Sequence, residues 1–367
     1  MLSRSPVTIA RTVHAWIGAS LALVVILIAA TGTALVWKES YVRMVFSQHA
    51  QGLEHDVDSL NRVLLAAESA YDVHSIDRIL FGDNMLGISR LDLINKHSVY
   101  LAADGRVLDE WGPNGRPEDW LLDLHHRLLS GTTGLYVVGI TGFAVLSMML
   151  AGLVAFWPKR RHWRVGIVPR HAKRPHLLLS HRNLGVFLIL PIVIIHLSGV
   201  VLSFPDKARA VLYSTDTESY GARFGDGVDL LSGPSENTLL RALERTKSVF
   251  PDADITGVSW PNLTENIVIT LRDSDEWDKR GNSSVHITAF DGLMGLRIDA
   301  DLLPSGEKAF NAMRTLHTGS YPGWVYDVLL TLSGIGIVYI ALISLITFLA
   351  ARLPTRTARA FSLRKSR

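Results

Sequence analysis

Four long apolar stretches interrupt an otherwise polar sequence, and none of them contains a charged residue. Leu, Ile and Val dominate these stretches and glycine is frequent in them, as is typical of packed membrane-spanning helices. About 20 apolar residues are enough to cross the hydrocarbon core of a bilayer as a helix. The pattern therefore predicts four transmembrane helices, from the stretches 15–37, 128–158, 183–205 and 328–351.

The two long segments between these stretches have the pattern of small α+β modules. Each begins with a helical periodicity and continues with strand patterns that include an Asp-Gly hairpin signal, Asp104-Gly105 in the first and Asp291-Gly292 in the second. The Gly-, Ser- and Asp-rich residues 206–236 are expected to form a loop. The predicted helices are 60–71 and 238–250, and the predicted strands are 88–93, 98–108, 255–260, 266–271, 284–290 and a return strand ending at Ile298.

The two halves of the chain repeat a common pattern. A histidine, a glycine four residues later and a glycine near the end of the apolar stretch recur at one offset of 167 residues (181 − 14). A looser echo relates Leu124-His125 to Leu316-His317, since glycines follow both histidines. The repeat predicts two helix–module–helix units arranged in parallel. The aligned positions are His14 with His181, Gly18 with Gly185 and Gly32 with Gly199.

Charge is distributed unevenly along the chain. Residues 1–14, 158–182 and 352–367 contain sixteen Lys and Arg and no acidic residue, whereas all 34 acidic residues lie in the two long segments. By the positive-inside rule, we expect both termini and the short loop to be cytosolic and the long segments to be outside. The small basic excess of the whole chain follows from this topology and does not indicate a nucleic-acid partner.

Together these features predict an α-helical membrane protein with four transmembrane helices as two repeats and two outer α+β modules. The predicted order is an N-terminal tail with helix 1 (1–37), outer module 1 (38–127), helix 2 (128–158), a basic cytosolic loop (159–182), helix 3 (183–205), outer module 2 (206–323), helix 4 (324–351) and a basic cytosolic tail (352–367).

The chain contains no cysteine. This excludes thiol catalysis, disulfides, cysteine-ligated iron–sulfur clusters and covalent haem attachment through a C-x-x-C-H motif. Any haem must therefore be held by non-covalent contacts.

Short motifs at the helix ends resemble one family. His14-x-Trp16-x-Gly18 enters helix 1, LHHRLLSGTTG precedes helix 2, SHRNLGVFLILP opens helix 3 and LHTGSYPG precedes helix 4. With the strand–Asp291-Gly292–strand ending of module 2, they resemble the PepSY-associated transmembrane proteins over nearly the whole chain. That resemblance implies a protein of the bacterial inner membrane whose outer modules are PepSY-like and periplasmic. It also implies a relation to inner-membrane ferric-siderophore reductases that hold two haems in a four-helix bundle. Other PepSY proteins inhibit proteases.

The histidines near the spans are the candidate chemistry, because a histidine in a membrane is costly unless it has a partner. Haem b needs an imidazole on each face of its iron. His14 and His181 lie at the same predicted depth, so we expect them to be opposing ligands of a cytosolic-side haem. His196 follows His181 by 15 residues, about 22 Å along a straight helix, which predicts a second haem level.

The ligands of the outer haem stay open, since His125 or His317 could pair with His196, or these two could pair with each other. His125 and His317 precede helices 2 and 4, and the following glycines must break the helix to fold either residue back. His126 is about 100° from His125 on a helix, so only one of the two faces inward, and the spacing to Gly131 favours His125. Arg127 and Arg182 are candidates to pair with haem propionates. The alternative for all of these residues is an ordinary interfacial or core role.

These expectations combine into one functional hypothesis. The chain is predicted to be a transmembrane di-haem oxidoreductase that binds two haems b and reduces a ferric siderophore in the periplasm, releasing Fe(II). The electron donor is expected to be quinol or a separate cytosolic reductase, because the cytosolic segments are too short to fold a flavin or nicotinamide module. The alternatives are a non-enzymatic PepSY membrane protein that binds a protease or another periplasmic partner, and the haem b subunit of another oxidoreductase.

Overall fold

The computed structural model describes residues 5–49, 51–83, 85–162, 166–213, 238–259, 266–288, 294–321 and 323–352. The Asp291-Gly292 turn and most of the predicted 206–236 loop lie outside these residues. The chain folds into two compact units. We call residues 1–34, 124–204 and 328–367 the helical unit, and residues 35–123 and 205–327 the sheet unit.

The described residues form eleven α-helices and eight strands. The helices are α1 (Pro6–Leu35), α2 (Lys38–Val45), α3 (Val57–Ala70), α4 (Pro117–Arg127), α5 (Gly131–Phe156), α6 (Arg174–Phe187), α7 (Ile189–Ser203), α8 (Pro205–Tyr213), α9 (Thr238–Val249), α10 (Ser305–Thr318) and α11 (Trp324–Ala350). The strands are β1 (Ile76–Leu80), β2 (Ser89–Leu93), β3 (Ser98–Leu101), β4 (Val107–Trp111), β5 (Asp254–Ser259), β6 (Asn266–Arg272), β7 (Ser283–Thr288) and β8 (Met294–Ile298).

The apolar stretches form helices of membrane-spanning length. Helices α1, α5 and α11 are each long and apolar enough to cross a bilayer. Helices α6 and α7 pass the same test only together, and they are bent by 68° at the break between them. Three spans are therefore continuous, and a fourth exists if the bent pair is counted as one.

The bend differs from the uninterrupted helix expected over 183–205. Leu188 separates α6 from α7, and Pro191 lies in the first turn of α7. Proline has no backbone N–H and its ring clashes with the carbonyl four residues earlier, so it is tolerated in the first turn of a helix but not inside one. Pro191 therefore favours a new helix start here. At its other end, α6 begins at Arg174, inside the predicted cytosolic loop.

The strands of both predicted modules join one antiparallel sheet. Its order is β4-β3-β2-β1-β5-β6-β7-β8, and the two halves meet where Ile79 of β1 pairs with Val258 of β5. β1 was not predicted, because IDRIL is short and carries two charges. The predicted helix-then-strands plan of each segment is present, but the two modules share a sheet.

One face of the sheet is covered by α3 and α9. Leu60 and Val63 of α3 and Leu243 of α9 are fully buried against Ile255 and Ile269 of the strands. Burial of side chains of this size stabilises a fold by about 1.5–3 kcal/mol each. This continuous apolar layer holds the two halves of the sheet unit together.

The other face of the first half is covered by α2 and α4 through buried polar contacts. Asp119 of α4 accepts hydrogen bonds from Arg90 at 2.7 Å and from the Trp111 indole at 2.7 Å. Burial alone would raise the pKa of Asp119, but the hydrogen bonds and charge of Arg90 outweigh it and lower that pKa. The start of α4, whose last turn carries His125, is therefore fixed on the sheet.

Candidate functional site

His14 and His181 lie side by side in the helical unit. Their ring centroids are 5.8 Å apart and the ring planes make an angle of 75°. His14 is on α1 and His181 is on α6, and both side chains are partly buried. The two residues that the repeat aligns are thus brought together from separate helices.

Each ring is oriented by a backbone carbonyl of another helix. His14 Nδ1 is 3.0 Å from the Met148 carbonyl of α5, and His181 Nδ1 is 3.3 Å from the Ile340 carbonyl of α11. A carbonyl can only accept, so Nδ1 donates in both rings and Nε2 is the nitrogen that a metal would take. The Ser344 hydroxyl lies a further 3.1 Å from His181 Nδ1.

His125 and His196 share this orientation. His125 Nδ1 donates to the Ile28 carbonyl of α1 at 2.9 Å, and the Thr31 hydroxyl lies 3.3 Å away. His196 Nδ1 donates to the Ile192 carbonyl of its own helix at 2.8 Å. Histidines that bind metals commonly donate their second N–H to a carbonyl, which fixes the ring. In all four rings Nδ1 is therefore held by a backbone carbonyl.

Glycines make room for two of these rings. A Cβ at Gly152 would lie 2.9 Å from Cε1 of His14, and a Cβ at Gly32 would lie 2.7 Å from Cε1 of His125. Contacts this short do not occur in real structures, so any larger residue would displace the ring. Gly185 differs, because among the described residues no atom lies within 4 Å of the position its Cβ would take.

A backbone break before α5 turns His125 back toward α1. Leu128, Leu129 and Gly131 have positive φ angles of 49°, 55° and 57°. The chain reversal brings the Arg127 carbonyl against Gly134, where a Cβ would lie only 1.5 Å from that oxygen. The helix break that the ligand hypothesis for His125 requires is therefore present.

The remaining candidates lie elsewhere. His126 and Arg127 are exposed at the end of α4, and the His126 ring is 5.6 Å from that of His125. Arg182 donates to Asn183 Oδ1 at 3.2 Å. His317 belongs to the sheet unit, in the last turn of α10, which ends at Gly319 with φ 73°.

The bend in the third span changes the distance argument for His196. The value of 22 Å from His181 assumed one straight helix, but the 68° bend at Leu188 lies between the two residues. The distance between His181 and His196, and whether their side chains lie on the same side of the span, therefore do not follow from the rise and turn per residue of one straight helix. Within the described residues there is no cluster of three or more His, Cys, Asp or Glu that could hold a metal ion. A pair of axial imidazoles does not require such a cluster.

Sequence reasoning missed the groups that orient the rings. The partner carbonyls belong to Met148, Ile340 and Ile28, inside apolar stretches that carry no local signal for such a role. Gly152 and Ser344 are equally inconspicuous, since glycine and serine are common in transmembrane helices.

The family model for the PepSY-associated TM region matches residues 11–350. The chain belongs to the PepSY-associated transmembrane family. The match includes both histidines of the 5.8 Å pair and every other candidate residue named above. A search with the sequence finds no matching curated protein. As a PepSY-associated protein, the chain is a membrane protein in which apolar helices are combined with an antiparallel sheet.

Proposed function

We propose that this PepSY-associated protein binds haem b and carries electrons across the bacterial inner membrane to reduce a ferric siderophore in the periplasm. The observation that carries the proposal is the His14–His181 pair, with ring centroids 5.8 Å apart and each Nδ1 bonded to a carbonyl. Two neutral imidazoles whose Nε2 atoms are kept for a metal are the donor set of a haem b.

The residues of the helical unit fit such a group. His14 and His181 would hold the haem on the cytosolic side, and the space beside Gly185 supports room for a large planar ligand near His181. His196 would hold a second haem, with His125 as the partner, since both lie in the helical unit whereas His317 lies in the sheet unit. Arg182 and Arg127 are the proposed partners of the propionates.

The chain prepares the site in two ways. Carbonyl-bound Nδ1 atoms keep each imidazole in one tautomer and one orientation, which raises its strength as a ligand. Apolar helices around the pair keep water out. When bound, haem b supplies a one-electron carrier whose potential depends on its axial ligands and burial.

The proposed substrate is a ferric chelate with hard oxygen ligands such as hydroxamate or catecholate. These ligands favour the trivalent ion, so reduction to Fe(II) loosens the complex. The proposed donor is quinol or a separate cytosolic reductase. The proposed orientation places the basic termini in the cytosol, following the positive-inside rule.

Two measurements on the purified full chain test the proposal. A pyridine haemochrome assay is expected to find stoichiometric haem b, and the absence of haem would leave a PepSY protein that binds a periplasmic partner. Ferric siderophore added to the dithionite-reduced protein is expected to oxidise the haem bands. Haem bands that stay reduced would point to another acceptor and thus to the haem b subunit of a different oxidoreductase.

A further inference from the structure

The loop between β6 and β7, residues 273–282, presents an aromatic side chain beside the start of a membrane span. The Trp277 ring is 6.3 Å from that of Tyr321, which in turn is 6.2 Å from Tyr326 in the first turn of α11. Trp277 is 41% exposed, Tyr321 46% and Trp324 71%. Within the sheet unit, exposed aromatic side chains therefore lie beside the first turn of α11.

The length of α11 places this surface at the level of the lipid headgroups. Its 27 residues extend about 40 Å, whereas the hydrocarbon core is about 30 Å thick. The ends of α11 must therefore lie in the interfacial layer, where tryptophan and tyrosine are enriched. Trp324 is its first residue, and Tyr321 precedes it by three residues.

The β6–β7 loop is tied to both places where the sheet unit continues into a span. The Lys279 backbone N–H donates to the Ser320 carbonyl at 2.7 Å, four residues before α11. The Lys279 ammonium group donates to Glu39 at 2.7 Å, four residues after α1 ends at Leu35. Lys279 thus holds the loop against the chain segment that follows α1 and against the segment that precedes α11.

Along the loop, buried side chains alternate with exposed ones. Asp278 is 1% exposed and accepts a hydrogen bond from the Thr315 hydroxyl at 2.6 Å. Its neighbours Trp277 and Arg280 are exposed, with Arg280 52% accessible at the side chain. An exposed indole suits the headgroup layer of a membrane, and a nearby exposed arginine can reach lipid phosphates from there.

We propose that the β6–β7 loop is a membrane-contacting surface, with Trp277 inserted among the outer-leaflet headgroups and Arg280 facing lipid phosphates. The partner is the lipid bilayer itself, because the surface is continuous with the start of α11. The loop therefore sets the sheet unit on the membrane independently of any cofactor or electron transfer.

The absence of cysteine allows a direct test with single spin labels. The full chain carrying Trp277→Cys is labelled and placed in nanodiscs of phosphatidylethanolamine and phosphatidylglycerol, and collisions with oxygen and with an aqueous nickel chelate are measured. Trp324→Cys is the interfacial reference, and Leu65→Cys, at an exposed apolar residue of α3, is the reference for the sheet unit.

We expect the label at 277 to lose nickel accessibility and keep oxygen accessibility, as the label at 324 does. Nickel accessibility equal to that at 65 would overturn the proposal, and protection from both reagents would overturn it in favour of a protein partner. A second measurement leaves the native aromatic residue in place. Bromine-labelled lipid is expected to quench more tryptophan fluorescence in the wild type than in Trp277→Phe, and equal quenching would also overturn the proposal.

Discussion

His14 and His181 begin the same motif in the two halves of the chain, yet the helices that carry them differ. His14 lies in α1, which runs unbroken through 30 residues. His181 lies in α6, which ends at Phe187 and is followed by a bend of 68° into α7. The repeated sequence has therefore produced one straight span and one bent one.

The two histidines nevertheless have the same local environment. Each donates from Nδ1 to a carbonyl of a later helix, α5 for His14 and α11 for His181. What the repeat preserves is the environment of the ring, while the course of the helix beyond it is free to diverge. The ligand geometry therefore depends on the contacts between helices more than on the shape of either helix.

Removal of either ring is expected to have the largest effect. His14→Ala and His181→Ala should each lose the same one of two haems, because each haem needs both axial imidazoles. His196→Ala should lose the other haem and retain the first. Haem content and the α-band spectrum measure this.

His171→Ala is the matched control for that series. His171 forms an edge-to-face pair with His176 at 5.0 Å in the basic loop, so it resembles the site pair in packing but is exposed. It should retain both haems. Retention of both haems in His14→Ala would refute the pairing, whatever the result at His181.

Substitution by alanine is expected to have different effects at Gly152, beside the His14 ring, and at Gly185, one helical turn after His181. Gly152→Ala should lower the stability of the haem-free protein by about 1–3 kcal/mol, because the added Cβ meets the His14 ring at 2.9 Å. Gly185→Ala should leave that stability unchanged, since no described atom lies within 4 Å, but should lower haem content. Thermal unfolding and haem titration separate the two effects, and a stable Gly185→Ala protein with full haem content would argue against a porphyrin there.

Pro191→Ala tests whether Pro191 causes the bend between α6 and α7 that distinguishes the two halves of the chain. An alanine supplies the missing N–H for the Phe187 carbonyl and removes the ring clash, so α6 and α7 should become straighter. Spin labels at Leu179 and Leu197 should move apart by about 5 Å, because two arms of roughly nine residues rise about 1.5 Å per residue.

The same substitution should perturb the haem held by His196 and spare the His14–His181 haem. Pro6→Ala, at the first residue of the straight α1, is its control and should change neither distance nor haem content. An unchanged label distance in Pro191→Ala would assign the bend to packing around Leu188 instead.

The smallest effect is expected at Ser344, whose hydroxyl lies 3.1 Å from His181 Nδ1. Ser344→Ala should weaken haem binding by about tenfold or less, because the Ile340 carbonyl still accepts from the ring. Ser333→Ala on the same helix is the control, since that hydroxyl donates along the helix to the Leu329 carbonyl. Equal affinity in both variants would show that the serine does not help to orient His181.

The sequence predicted those parts of the molecule that depend on local pattern. The apolar stretches are long enough to predict membrane-spanning helices by themselves. The constant offset related His14 to His181, and the structure places their rings 5.8 Å apart. The break at Leu188 was not predicted, since a proline such as Pro191 fits either a kink within a helix or a new helix start. The contacts of the Met148 and Ile340 carbonyls with the two rings were not predicted. Every residue has a backbone carbonyl, and the sequence does not indicate which one a histidine contacts.

The sheet shows the same limit. Strands β2 to β8 have hydrophobic patterns of their own, whereas β1 is short and carries Asp77 and Arg78. Its pairing with β5 joins residues about 180 positions apart, and no local pattern specifies such a contact. Two modules were therefore expected where one continuous sheet is found.

That β1–β5 junction constrains the order in which the protein can be made. When β1 has been synthesised, its partner Val258 lies beyond α5, α6 and α7, so these three helices must all be made before the sheet can close. Until then the edge of β1 that β5 will occupy is unpaired, and its backbone groups can pair with another chain. Closure of the sheet therefore depends on the synthesis of the helices that lie between its two halves.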